Sequence, residues 1–219
     1  MGIYIERYER IGTLWGVPED MGIDIAHLES WREKFGDIPE ALLVYYSTFG
    51  THRELNETQD ALILPDSIPF GYHKMKDVPD TDHLVFYVEN QWALGWGIAP
   101  DQTSEVDPIV EISEDAQAWS STGETVSEFL LAQAYMQRVM SFEYTTEEFW
   151  DISEDFLSQL ESKVPLALTS NLYEGVSFFG DETQLALVSG SIDKRLVWFG
   201  SDDEENFNDL REWSKQHGR

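Results

Sequence analysis

Leu84-Val85-Phe86-Tyr87-Val88, followed by Glu89-Asn90-Gln91 and then Trp92-Ala93-Leu94-Gly95-Trp96-Gly97-Ile98, is the stretch on which the fold turns. Five successive β-branched, aromatic and aliphatic residues ending at a polar tripeptide describe a buried strand. The run from Trp92 to Ile98 is expected to return beside it as a hairpin partner. Gly95-Trp96-Gly97 lacks the third glycine of a dinucleotide-binding turn, and Pro100 follows where that turn needs a helix. These glycines read instead as small residues within a strand.

Working outward, Ala61-Leu62-Ile63-Leu64 is a short strand stopped by Pro65, and Ile109-Val110-Glu111-Ile112 is another, led by Asp107-Pro108. Thr125-Val126-Ser127-Glu128 spells a capping box, in which each side chain can accept from an orphan amide at a helix start. Phe129, Leu130, Ala132, Ala134, Met136 and Val139 give that helix a broad apolar face. Upstream, Ile25, Leu28, Trp31 and Phe35 make one apolar stripe of a helix over 24–35, stopped by Gly36. Leu42, Leu43, Tyr46 and Phe49 make another, with Pro39 in its first turn and Gly50 at its end. Residues 51–60 are polar and read as a loop.

Downstream, Thr145-Thr146-Glu147-Glu148 reads as the cap of a helix running towards Lys163. Tyr173–Phe179, Gln184–Ser189 and Arg195–Phe199 read as three strands of an antiparallel meander. Gly180-Asp181-Glu182 and Gly190-Ser191-Ile192-Asp193 are its turns. A last helix spans about 204–216, with Phe207, Leu210 and Trp213 on one side. The expected architecture is α+β: a single domain over 1–219, with a central, mostly antiparallel sheet flanked by helices. A C-terminal β-meander and helix form a layer over about 165–219.

Composition narrows the function. The chain has 219 residues, 42% hydrophobic and 13% aromatic, enough to bury a sizeable core. Against 14 Lys+Arg stand 42 Asp+Glu, a formal net charge of −28. Such a surface is repelled by phosphate backbones and anionic lipid and attracts basic partners, so neither direct nucleic-acid binding nor membrane binding is expected. With no Cys, disulfides, thiol catalysis and thiolate metal sites are excluded. The opening Met1-Gly2-Ile3-Tyr4-Ile5-Glu6-Arg7 has no basic segment leading into an apolar run, and Glu6 stands where a myristoylation signal wants Ser or Thr. Neither a secretory leader nor a membrane span is expected, which places the chain in the cytoplasm. Asn56-Glu57-Thr58 then spells a glycosylation sequon by chance.

Motifs of chemistry are missing. The histidines at 27, 52, 73, 83 and 217 are never three to five residues apart, so there is no zinc-type helix pair. No phosphate-binding Gly-Lys-Ser/Thr and no Gly-x-Ser-x-Gly elbow occurs. Asp202-Asp203-Glu204-Glu205 has Phe207 where a calcium loop needs Gly, and it suits the positive end of the helix that follows. With so many acids, carboxylate pairs at any spacing carry no signal. No catalytic residue, metal or cofactor is expected, and an enzyme built on paired carboxylates is the weakest of the readings.

One charge feature remains. No Lys or Arg occurs from Asp77 to Gln137, a window with twelve acidic residues. It serves either general solubility, including adaptation to high salt, or an acidic face for a basic partner. On the second reading the candidate contacts are Asp77, Asp80, Asp82 and Glu89, then Glu105, Asp107, Glu114 and Asp115. Trp92 and Trp119 would be aromatic anchors.

The ordered series of motifs resembles the Smi1/Knr4 (SUKH) superfamily. Ile38-Pro39-Glu40-Ala41-Leu42-Leu43-Val44-Tyr45-Tyr46-Ser47-Thr48-Phe49-Gly50 is similar to its Pro-led early helix. Leu84 to Gln91 resembles its central strand and Glu-Asn-Gln turn, Trp96-Gly97-Ile98 the next strand, Asp107-Pro108-Ile109-Val110 its Asp-Pro-x-Val step, and Thr125 to Leu131 the helix after it. The order holds over about 28–137, and Ser201 to Trp213 resembles the closing helix. The family commonly continues Glu-Asn-Gln with Gly-Val, whereas this chain has Trp92-Ala93. That departure is expected to alter the turn, with Trp92 either packed on the sheet or offered to a partner. The resemblance implies an α+β fold and, in bacteria, an immunity protein that binds and neutralises a polymorphic or contact-delivered toxin domain, many of which are nucleases. The alternative it implies is a regulatory scaffold of the fungal type with several protein partners. It supplies no catalytic residues. A basic nuclease toxin would suit an acidic inhibitor, because its cleft must hold phosphate.

Overall fold

A computed structural model describes residues 2–18, 21–68, 73–150, 153–189 and 195–217. Backbone contacts group the chain into two compact units, one comprising 1–12 and 16–131, the other 13–15 and 132–219. The fold class is α+β, as expected, with seven α-helices and two sheets among the described residues.

The first unit holds α1 (Ile3–Trp15, its last turn counted with the second unit), α2 (Glu29–Phe35), α3 (Glu40–Phe49) and α4 (Arg53–Glu57). Its six strands are β1 (Ala61–Leu64), β2 (His73–Lys74), β3 (Leu84–Val88), β4 (Gly95–Ile98), β5 (Ile109–Ser113) and β6 (Ser120–Thr125), followed by the start of α5 (Val126–Ser141). The sheet order is β2-β1-β3-β4-β5-β6, antiparallel except for the β1–β2 pair. All five residues of β3 are buried. Between Val85 and Tyr87 the β3–β4 register shifts, and such a bulge resets the alternation of side chains. Phe86 and Tyr87 therefore both meet Phe129 of α5, each at 5.5 Å between ring centroids. Val85 and Val88 face the other way.

The capping box is formed as read: Thr125 N donates to Glu128 Oε2 at 2.9 Å, and Glu128 N to Thr125 Oγ1 at 3.4 Å. Arg7 of α1 fastens to the same helix start, donating to Ser127 Oγ at 2.7 Å and pairing with Glu128 at 2.5 Å. α1 was not among the expected helices. Within 51–60, where a loop was expected, α4 forms because His52 Nδ1 caps Leu55 N at 3.2 Å and Leu55 and Asn56 are buried. Asn56 is spent on Tyr45 and on the Phe49 carbonyl, so the asparagine of the sequon is part of the core. The expected helix over 24–35 begins as a single 3-10 turn, Ile25–Leu28, capped by Asp24. Pro39 is the residue before α3 rather than within its first turn. In α3, Tyr45 is buried and Leu43 half-exposed, so the stripe is shifted from the one read.

In the second unit, β7 (Tyr144–Trp150), β8 (Leu166–Ser170), β9 (Val176–Gly180), β10 (Gln184–Ser189) and β11 (Arg195–Ser201) form an antiparallel sheet in the order β7-β11-β10-β9-β8. α6 (Glu154–Lys163) and α7 (Glu204–His217) pack on it through Phe156, Leu160 and Leu210 against Val188, Val197 and Phe199. The helix cap expected at Thr145–Glu148 is instead strand β7. Its hydroxyl at Thr145 lies 3.0 Å from the Phe199 carbonyl and accepts from Trp198 Nε1 at 2.7 Å, and α6 is capped later by Ser153. The meander is present, but its first strand starts at Val176, because Tyr173 takes a left-handed φ of 48°. The expected turn Gly190-Ser191-Ile192-Asp193 lies outside the described residues. Among the described residues no helix is long and apolar enough to cross a membrane.

Candidate functional site

The hairpin sequence Gly95-Trp96-Gly97 positions the site. Trp96 points to the core, 5.4 Å from Phe129 between centroids. By alternation the two glycines lie on the opposite face of β4. Their sheet partners there are Val88 and Ser113 beside Gly95, and Val85 and Glu111 beside Gly97. A strand that presents no side chains on one face leaves a trough, and two loops wall it. The β3–β4 and β5–β6 connections emerge at the same end of an antiparallel meander, so 89–94 and 114–119 become neighbours.

Trp119, from the second loop, lies in the trough. A Cβ on Gly97 would sit 3.2 Å from Trp119 Cη2 and Cζ3, so glycine is what lets the indole settle there. The indole stacks on His83, whose Nε2 lies 2.8 Å from Glu111 Oε2, and its own Nε1 donates to the Ala116 carbonyl at 3.3 Å. Over Gly95 the trough stays open as a groove of about 270 Å³, with Val85 and Val88 beneath and Val78, Pro79, Trp92 and Leu94 beside. Glu114, Asp115 and Ala116 complete it.

Among the described residues, two of the three non-glycine residues with positive φ, Trp92 at 62° and Ala116 at 59°, line this groove. A left-handed backbone costs an L-residue roughly 1–2 kcal/mol, and such strain persists where surrounding bonds enforce it. Glu89 enforces it at Trp92: its carbonyl accepts from Trp92 N at 2.9 Å, and its Oε2 accepts from Gln91 N at 2.8 Å and Ala93 N at 3.2 Å. Asp115 does so at the other loop, where Oδ1 accepts from Gln117 N and Ala118 N, both at 2.9 Å. Those backbone donors hold the Asp115 carboxyl below its ordinary pKa. The His73 and Trp92 rings meet nearly at right angles, with centroids 5.0 Å apart.

Of the ten candidate contacts, Trp92, Glu114, Asp115 and Trp119 converge on the groove. Glu89 braces its turn. Asp77 and Asp80 flank Val78-Pro79 in sequence and are exposed, as are Asp82 and Glu105, which do not line the groove. Asp107 serves the fold: it accepts from Ser127 N at 2.9 Å and Ser127 Oγ at 2.6 Å and pairs with Arg7 at 3.4 Å. Sequence reasoning did not assign Val78, Val85, Val88, Gly95 or His83 to the site. The alternation Gly-Trp-Gly was the available signal for the trough, whereas nothing local tied His83 to Trp119.

A larger hollow of about 660 Å³ lies among Tyr8, Val44 and Phe49. The hydroxyl of the buried Tyr8 already donates to the Ala41 carbonyl at 2.9 Å. Among the described residues no three His, Asp or Glu side chains converge as a metal-binding set.

Compared with protein-family models, curated proteins and solved structures, the chain matches none.

Proposed function

We propose that this chain is a non-enzymatic binding protein of the immunity type, which acts in the cytoplasm and neutralises a basic toxin domain, a nuclease, by covering its phosphate-holding cleft. The observation that carries the reading is the groove. Trp92 and Trp119 are held by a strained and a braced loop, carboxylates stand at the rim, and the surrounding 77–137 window has no Lys or Arg. Interfaces draw most of their affinity from a few aromatic anchors in well-packed pockets, while surrounding charge raises the encounter rate and rejects wrong partners. The ordered resemblance to the Smi1/Knr4 (SUKH) superfamily adds to this reading.

The test is co-expression with the product of the adjacent gene, scoring growth. Rescue by the parent chain, weakened by Trp92→Ala and Trp119→Ala, is the expected result. Unrelieved growth arrest, with the chain folded and abundant, would overturn the reading. Capture of several unrelated partners without protection would favour a regulatory scaffold.

A further inference from the structure

We propose that the groove over Gly95 takes a single arginine side chain from the basic partner, its aliphatic stem on Val85 and Val88, its guanidinium against the indoles and the Glu114 and Asp115 carboxylates. The inference rests on the binding reading above and names the chemistry of that same site. Three features choose the occupant.

Size comes first. About 270 Å³ is below the range of pockets that hold drug-sized ligands, and it suits one long side chain. Lining comes second. Val78, Pro79, Val85, Val88 and Leu94 in the lining match a methylene stem, and Trp92 and Trp119 border the groove, a side-chain type that attracts a cation. Polar groups come third. The donors from Ser113, Gln117 and Ala118 all reach Asp115 Oδ1, which leaves Oδ2 for an incoming donor. Glu114 is exposed on the same loop. Two adjacent carboxylates match the forked donors of a guanidinium better than the point charge of an ammonium, and a quaternary ammonium would leave them without donors. The strain at Trp92 and Ala116 fits a site organised before the partner arrives, which lowers the ordering cost of binding.

The probe is the blocked tripeptide Gly-Arg-Gly, titrated into the intact chain. The readout is the indole N–H resonances of Trp92 and Trp119, assigned by single Trp→Phe variants. Saturable shifts of both signals are expected, with affinity about tenfold above that for the citrulline analogue, which keeps the shape and loses the charge. Glu114→Gln should weaken binding several-fold. Gly95→Leu should abolish it by filling the groove, since a Cβ there lies 3.8 Å from Val85 Cγ1 and needs no backbone change. Equal binding of citrulline, tighter binding of a Gly-Lys-Gly or trimethyl-lysine peptide, or shifts that survive Gly95→Leu would overturn the proposal. So would the absence of any shift in the parent chain. Growth protection that persists without arginine binding would count against the arginine slot alone. Arginine binding without protection would count against the toxin reading alone.

Discussion

Trp119 stacks face to face on His83, with ring centroids 4.2 Å apart and planes 6° from parallel. The two residues come from opposite sides of the sheet's hairpins in sequence, and Gly97 is the reason they can meet. Its missing side chain leaves the space that the indole and the imidazole take up, and Glu111 on the neighbouring strand holds the imidazole.

Gly97→Ala should therefore be costly and Gly95→Ala should not. The first Cβ would press on Trp119 at 3.2 Å and on His83 Cβ at 3.3 Å, whereas the second meets nothing closer than 3.8 Å. We expect a loss of about 1–3 kcal/mol for Gly97→Ala, with a changed Trp emission spectrum. Gly95→Ala should stay within about 1 kcal/mol of the parent. Urea unfolding of both variants checks the contrast, and equal stabilities would refute the seating of Trp119 on Gly97.

Trp92 offers a cleaner measure of backbone strain. Trp92→Gly and Trp92→Ala remove the same indole but differ in their tolerance of φ 62°. The glycine variant should be more stable than the alanine variant by about 1 kcal/mol, and both should lose partner binding. A glycine variant no more stable than alanine would mean that the turn relaxes once the indole is gone.

Among the acidic residues, stability and binding should separate. Asp107→Ala leaves Ser127 N and Ser127 Oγ without their acceptor, removes one of the partners of Arg7, and should cost about 2 kcal/mol. Asp80→Ala and Asp82→Ala, both exposed, should change stability by less than about 0.5 kcal/mol. Thermal melts of the three variants would show it. A neutral Asp107→Ala would contradict its role at the start of α5.

Stability should fall as the pH drops below about 6.5. Burial lowers the pKa of His52 and of His73 from that ordinary value. His52 Nδ1 must also stay unprotonated to accept from Leu55 N. Between the unfolded value and the lower folded one the unfolded chain binds more protons, so the contribution present above about 6.5 is lost as the pH falls through the folded value. His52→Asn keeps a capping acceptor and removes the titration, so its melting temperature should vary less between pH 8 and pH 5 than that of the parent. An unchanged pH dependence would exclude His52 as a source.

The local signals were legible because each is enforced within a few residues. The β3 strand, the Thr125–Glu128 box and the Gly36 stop belong to this class, and all three appear as read. Signals that pointed two ways were decided by partners distant in sequence. Thr145–Glu148 could cap a helix or extend as a strand, and pairing along β11 made it β7. His52 gave α4 its cap only once Leu55 and Asn56 had a core to enter. For the site, sequence alone determined the charge of the 77–137 window, its two candidate Trp anchors and the Gly-Trp-Gly alternation. The tertiary structure decided which acids matter to the groove and which serve the fold. The bulge between Val85 and Tyr87 aims β3 at both faces, and the sheet register sets His83 beneath Trp119. Registers and bulges depend on how whole strands pair, and the energy that selects them is spread over contacts no short window of residues contains.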